Sequence, residues 1–178
     1  KISKGNSKMP GTSYAIDAFA CKTGSKLAEI KGTPCASCYA RKLQKLRPSV
    51  NQGYKSNLEK WQNASQQTWI EAMVFQINRS GTKYHSWFDS GDLQLRTMLD
   101  SIIEVCKRTP DVKHWLPTQE RDIIRDVDTP DNLVIRLSGS KVNGRAPSAD
   151  NTSTVFDKQG EPIGQECLAY TRGNNCGD

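Results

Sequence analysis

The sequence predicts an α/β fold: a single compact domain, residues 1–178, with a small parallel sheet that resembles a partial βα-barrel. Three observations lead to this expectation. The length of 178 residues corresponds to one domain. Residues 82–140 alternate between short β-type runs and helical runs, the pattern of right-handed βαβ units in a parallel sheet. The two ends, residues 1–53 and 141–178, are rich in glycine and polar residues and carry cysteines, which predicts irregular termini.

The elements of the first half follow from periodicity and helix breakers. Residues 1–53 predict irregular, basic structure with one short helix over residues 39–46, ended by Pro48. Residues 54–79 predict one long helix, because one set of residues recurs at three- and four-residue spacing and forms a mostly apolar stripe: Leu58, Trp61, Ser65, Trp69, Ala72 and Met73. The run Arg79-Ser80-Gly81 is its predicted stop.

The second half predicts βαβαβ followed by a loop region with one further candidate strand at residues 153–156. Period-two and period-3.6 patterns alternate through it, and Pro117 and Pro130 mark two of the boundaries. In chain order the elements are a strand at 83–89, a helix at 93–108, a strand at 112–118, a short helix at 118–126 and a strand at 132–138.

Polar residues follow each of these three strands. The segments are 89–92, 118–121 and 138–141. Parallel α/β proteins bind their ligands at the carboxyl ends of the strands, so we expect the three segments to surround one mouth. Asp89 and Asp92 are candidates for a hard cation or a substrate hydroxyl, and Asp92 is equally a candidate cap of the next helix.

Three charged side chains are weaker candidates at the same mouth. Arg136 lies inside a predicted strand, where an arginine is either paired within a barrel or salt-bridged at an edge. Together with Glu120 and Arg121 it predicts an anion site.

Charge is unevenly distributed along the chain. The net charge is +6, but residues 1–60 hold 12 Lys and Arg against 3 Asp and Glu, a net +9. A basic first third predicts an anionic partner, and nucleic acid is the obvious candidate; a solvated basic surface is the alternative. The aromatic residues, 7% of the chain, do not interleave with the basic ones, which argues against a single-strand stacking platform. The chain contains no apolar run long enough for a membrane span, so no membrane partner is expected.

The six cysteines carry the sharpest signal. Cys35 and Cys38 are two residues apart, a spacing at which a tight turn directs both thiolates at one metal ion or cluster, and the helix predicted to follow favours the thiolate. Cys21, Cys167 and Cys176 compete for the remaining positions of a site with three or four ligands, since the termini of a domain are often close. Cys106 lies on the apolar face of a predicted helix and is expected in the core.

An iron–sulfur cluster, most readily [4Fe–4S], is the metal group this pattern favours. Zinc sites built from cysteine alone usually show two close pairs, whereas this chain has one close pair and three dispersed cysteines. Zinc stays the alternative, and because the number of cysteines is even, disulfides stay open as well. His85 and His114 each lie in a predicted strand beside a tryptophan, so we expect buried structural roles for them rather than ligation.

The ordered motifs resemble one family. The run KMPGTSYAIDAFACKTGSKLAEI, then TPCASCYARK, WFDSGDLQ, HWLPTQE and NLVIRLSGS, is similar to the gene product 88 family of small bacteriophage proteins, over about residues 8–178. This resemblance implies a location in the host bacterial cytoplasm or the virion, with a phage or host protein as a further potential partner of the basic third.

A second resemblance concerns the cysteine turn alone. CASCYA is similar to the cluster-binding turn of radical S-adenosylmethionine proteins, whose fold is a full or partial βα-barrel. In those proteins the three cysteines have three- and two-residue gaps, whereas thirteen residues separate Cys21 from Cys35 here. Four cysteine ligands would imply a structural or electron-transfer role, and three would imply a radical-SAM-like redox enzyme. A zinc-stabilised nucleic-acid-binding module is the third hypothesis.

Overall fold

Five parallel strands form one sheet in the order β1-β2-β3-β4-β5, so each strand lies beside its predecessor in the chain. The computed structural model describes residues 1–4, 11–157 and 160–173. The order confirms the predicted α/β fold, and right-handed crossovers with this order place the helices on one face, as in a βα-barrel. Within the described residues β1 and β5 do not pair, so the sheet is open. The strands are β1 (Thr12–Tyr14), β2 (Tyr84–Trp87), β3 (Lys113–Thr118), β4 (Leu133–Val142) and β5 (Thr152–Val155).

Six α-helices accompany the sheet in the described part of the chain. Four of them lie between β1 and β2, one follows β2 and one follows β3. None of the described helices has the length and apolar character needed to cross a bilayer. The helices are α1 (Lys22–Ala28), α2 (Tyr39–Leu46), α3 (Pro48–Asn63), α4 (Gln66–Ser80), α5 (Arg96–Lys107) and α6 (Arg121–Ile124).

The core lies between the sheet and helices α3, α4 and α5. Alternate strand residues such as Trp87 and Leu116 are fully buried against it, as the period of two requires. Trp69 of α4 packs edge-on against Tyr14, with ring centroids 5.6 Å apart, and its indole nitrogen donates to the Tyr14 hydroxyl at 3.4 Å. Cys106 has no exposed surface, which confirms its predicted place in the core.

One helix prediction in the first half is confirmed and another is wrong. The helix predicted over residues 39–46 is α2, which ends before Pro48, and Pro48 itself begins α3, since proline needs no amide hydrogen at the first helical position. The single helix predicted over residues 54–79 is two helices, because Ser65 caps α4 by accepting a hydrogen bond from the Thr68 amide at 3.1 Å. Spacing alone had placed Ser65 on the apolar stripe of one continuous helix.

Other boundaries differ less. The amino-terminal stretch predicted to hold one helix contains α1 and α2, and it begins with the unpredicted strand β1, which is only three residues long. Strand β4 continues to Val142, so residues 138–141 belong to the strand and not to a polar loop at the mouth. The last predicted strand is confirmed, one residue earlier, as β5.

The two histidines occupy the core, as predicted. The Nδ1 atom of His85 lies 2.7 Å from the Thr12 hydroxyl, and the Nε2 atom of His114 lies 2.9 Å from the Thr109 hydroxyl. Both rings contact Trp87. Burial lowers the pKa of His85 to about 3, with a further contribution from His114, and burial lowers the pKa of His114 to about 4. Both imidazoles are therefore neutral at physiological pH.

Candidate metal centre

Three cysteines lie on one continuous segment, between the carboxyl end of β1 and the start of α2. Cys21 immediately precedes α1, Cys35 lies in a 3₁₀ turn over Pro34–Ser37, and Cys38 immediately precedes α2. The Thr33 hydroxyl caps this turn by accepting from the Ala36 amide at 3.1 Å. Local capping therefore sets the positions of Cys35 and Cys38.

Gly24 lies next to both Cys21 and Cys35, which are 14 positions apart in the chain. A Cβ atom added at Gly24 would lie 3.7 Å from the sulfur of Cys21 and 3.7 Å from the sulfur of Cys35, so the two sulfurs are separated by at most twice that distance. The same Cβ would lie 3.1 Å from Cys21 Cβ, which is tight. The charge of Cys38 raises the pKa of both other thiols. The structure thus places the sulfurs of Cys21 and Cys35 next to Gly24, with Cys38 three positions after Cys35.

The surroundings favour protonated thiols in the metal-free chain. Burial raises the pKa of Cys21 to about 12, and the charges of Asp92 and Cys38 raise it further while Arg41 opposes them. Burial and the same neighbours also raise the pKa of Cys35. A coordinated cation reverses this balance, because a thiol that binds metal loses its proton.

Glu120 fastens the cysteine segment to the sheet. Its carboxylate accepts from the Thr23 amide at 2.8 Å and from the Thr23 hydroxyl at 2.9 Å. Nearby, the Lys22 ammonium donates to the Gln94 carbonyl at 2.7 Å. The start of α1, directly after Cys21, is therefore held at the carboxyl ends of β2 and β3.

Asp92 joins the same two strand ends. Its carboxylate accepts from the Thr118 hydroxyl at 2.6 Å, the Gln119 amide at 2.8 Å and the Leu93 amide at 2.7 Å. Leu95 is the N-cap of α5, so the prediction that Asp92 caps this helix is wrong. Burial raises the pKa of Asp92 to about 6. Asp92 is a structural carboxylate that also acts electrostatically on Cys21 and Cys35.

The other predicted mouth residues have different positions. The backbone carbonyl of Asp89 accepts from the Tyr39 hydroxyl, which ties α2 to the end of β2. Arg121 is exposed and donates to the Ser148 carbonyl at 3.4 Å, and Arg136 is exposed on β4. Glu120 accepts hydrogen bonds from Thr23 and Arg121 donates to Ser148. These are not the contacts expected of the predicted anion site, in which Glu120, Arg121 and Arg136 would act together.

Among the described residues, no contact joins the carboxyl-terminal cysteines to Cys21, Cys35 or Cys38. Cys167 is exposed, just before a 3₁₀ turn over Leu168–Arg172, and its charge is not among those that shift the pKa of Cys21 or Cys35. Cys176 lies outside the described residues. Convergence of both ends of the chain on one site therefore stays a prediction. Over the described ranges, no group of three or more His, Cys, Asp or Glu has the geometry for a single metal ion.

The sequence analysis missed Gly24 and the contact between Glu120 and Thr23. Gly24 had a usable signal, since a glycine inside a helix costs about 1 kcal/mol relative to alanine and usually has a packing reason. Glu120 was a candidate for the mouth, but its contact with Thr23 had no signal, because the two residues are 97 positions apart in the chain.

Comparison with known proteins identifies one family. The family model described as gene product 88 matches residues 2–175. No curated protein matches the chain, and no solved structure matches it. The similarity of CASCYA to the radical S-adenosylmethionine turn accordingly rests on the motif alone.

Proposed function

We propose that this chain, which belongs to the gene product 88 family of bacteriophage proteins, binds an iron–sulfur cluster through Cys21, Cys35 and Cys38. The observation that carries the proposal is the position of the three thiols: the sulfurs of Cys21 and Cys35 border Gly24, and Cys35 and Cys38 line one cleft. A cluster of the [4Fe–4S] type is the form that fits best, since three or four thiolates are its usual ligands.

The residues around the thiols suit such a group. Gly24 packs closely against Cys21, and a Cβ atom there would lie 3.1 Å from Cys21 Cβ and in van der Waals contact with two of the sulfurs. Cys38 precedes α2, whose first amides have no partners within the helix and can donate to cluster sulfides or to the thiolate. When bound, the cluster would supply one-electron transfer. The chain itself would hold the cluster at the carboxyl edge of the sheet through the Glu120–Thr23 contact.

The number of cysteine ligands divides the proposal into two roles. With Cys167 or Cys176 as a fourth ligand, each iron of the cluster would have a cysteine ligand, and the role is structural or electron transfer. With three, one iron is open to an exogenous ligand and the chain is a radical-SAM-like redox enzyme. The second role is favoured by position, because the three thiols lie where parallel α/β proteins bind substrates. Either role suits the reducing cytoplasm of the host, where thiols persist.

The first experiment is anaerobic purification followed by an absorption spectrum and counts of iron and sulfide per chain. We expect a shoulder near about 400 nm and roughly four irons. Cys38→Ser should lose most of the iron, whereas the matched control Cys106→Ala, which alters a buried core cysteine, should keep it. A colourless protein with stoichiometric zinc would overturn the cluster and support the zinc alternative. Equal iron loss in both variants would show a folding defect and not ligation.

The second experiment counts ligands. Cys167→Ser and Cys176→Ser are prepared separately, and their iron content and electron paramagnetic resonance spectra are compared with the wild type. Loss of iron in one of them identifies the fourth ligand and the closed cluster. Full iron in both, with a spectrum that changes when S-adenosylmethionine is added, supports the open-iron enzyme.

A further inference from the structure

A basic cleft lies beside the cysteines. It has a volume of about 240 Å³, and its lining includes Cys35 and Cys38 together with Arg41, Lys42 and Lys45. The three cations lie three, four and seven positions after Cys38, so they share one face of α2 with it. The helix thus carries a stripe of positive charge away from the cysteine centre.

Among the described residues, none forms an ion pair with a cation of the cleft. The ion pairs found within the described residues join Arg96 to Asp100 and Arg125 to Asp122, and both lie elsewhere. Lys42 and Lys45 are exposed. Three like charges gathered in a small cleft repel one another, and an anion bound among them removes that repulsion.

Two of the cations are held in place. The guanidinium of Arg41 donates to the Ala18 carbonyl at 3.3 Å and to the Ser25 hydroxyl, and it lies 5.2 Å from the centre of the Phe19 ring. The ammonium of Lys45 lies 5.9 Å from the same ring centre. Cations fixed over an aromatic ring lose little freedom when they bind a ligand, which favours binding.

From these contacts we infer that the cleft of α2 binds phosphate groups of a nucleic-acid backbone. Its volume is below the roughly 300–1,000 Å³ of pockets for drug-sized ligands, so it admits a single small group such as a phosphate. The surplus charge of the first 60 residues, a net +9, far exceeds what one phosphate needs, and a repeating phosphate backbone matches it. This inference goes beyond the cluster proposal and does not depend on it.

The test measures binding of fluorescently labelled single-stranded and duplex oligonucleotides by anisotropy as a function of salt. The variant is Lys42→Glu with Lys45→Glu. The matched control is Lys107→Glu with Lys113→Glu, which makes the same charge change at exposed positions at the end of α5 and the start of β3. We expect the cleft variant to bind at least about tenfold more weakly at 0.1 M salt and the control to bind like the wild type. The slope of log affinity against log salt should fall by about one per lysine removed.

Three results would overturn the inference. They are absence of binding by the wild type, equal loss in the two double variants, and binding by the cleft variant within twofold of the wild type. Competition by inorganic phosphate or adenosine monophosphate identifies the source of the phosphate. If these small ligands bind as well as an oligonucleotide does, the nucleic-acid assignment is wrong.

Iron content is measured on the same samples, so the two proposals fail separately. Iron-free protein that binds oligonucleotides through Lys42 and Lys45 would overturn the cluster proposal and support the phosphate cleft. Iron-loaded protein that binds no oligonucleotide would do the reverse.

Discussion

Replacing His114 with leucine is expected to reduce the loss of stability in acid. His114 is buried and neutral in the folded protein, with a pKa of about 4, whereas an unfolded histidine titrates near about 6.5. Since the folded-state pKa is lowered, the stabilising contribution is complete above about pH 6.5 and is lost as the pH falls from there towards 4. The unfolded chain takes up the proton first over this range.

The magnitude follows from the two pKa values. Each pH unit below about 6.5 lowers the free energy of unfolding by about 1.4 kcal/mol per imidazole, so His114 alone accounts for about 2 kcal/mol at pH 5. His85 acts in the same direction, because its pKa is also lowered. Asp92 acts in the opposite direction, since its pKa is raised to about 6 and protonation favours the folded state. The difference between wild type and variant removes the contribution of Asp92; because His114 also lowers the pKa of His85, the variant adds a smaller change in His85 in the same direction.

Leucine is a suitable replacement at this position. The Thr109 hydroxyl that contacts His114 also donates to the Val105 carbonyl at 2.8 Å, so removal of the ring leaves no orphaned hydroxyl. Urea unfolding of both proteins at pH 7, 6 and 5 gives the comparison. The variant should gain about 2 kcal/mol on the wild type between pH 7 and pH 5. A difference that stays constant over this range would refute the assignment of a neutral, buried His114.

Two further substitutions test the cysteine centre. Gly24→Ala should leave the stability of the metal-free protein within about 1 kcal/mol but lower the iron content of the purified protein, because the new methyl group would lie 3.1 Å from Cys21 Cβ and displace the Cys21 side chain; Gly53→Ala, where an added Cβ meets nothing, is the control. Unchanged iron in Gly24→Ala would contradict that geometry. Glu120→Ala should weaken the attachment of α1 by about 2 kcal/mol through loss of two charge-assisted hydrogen bonds. Trypsin should then cleave α1 faster, whereas Glu104→Ala, at an exposed position of α5, should not change the rate; equal rates in all three proteins would count against the attachment.

The sequence predicts the part of the fold in which apolar residues follow a regular helix or strand period. The strands and helices from residue 82 onward have regular patterns, and the order of units implies a parallel sheet because crossovers are right-handed. Strand β1 has only three residues and obtains its stability from pairing with β2, which no local pattern records. The break at Ser65 was hidden because both flanking helices continue the same apolar spacing.

The candidate site divides in the same way. The closeness of Cys35 and Cys38 follows from their two-residue gap, and the burial of Cys106 follows from its helix face. The approach of Cys21 depends on a short helix with Gly24 inside it, and the attachment to Glu120 depends on a contact between residues 97 positions apart. Tertiary contacts of this range carry no signal in one sequence.

The position of the cysteine segment in the chain also bears on the order of folding. Strands β1 and β2 pair across 73 positions, whereas β3 pairs with β4 across about 19. The entropy lost on closing the longer loop raises the free energy by about 1.2 kcal/mol more than closing the shorter one. We therefore expect β3, β4 and β5 to assemble first and β1 to join last. The cysteine segment lies inside that longest loop. During synthesis its thiols therefore remain accessible until the final strand docks, and the proposed cluster, if it binds before docking, would become enclosed as the domain closes.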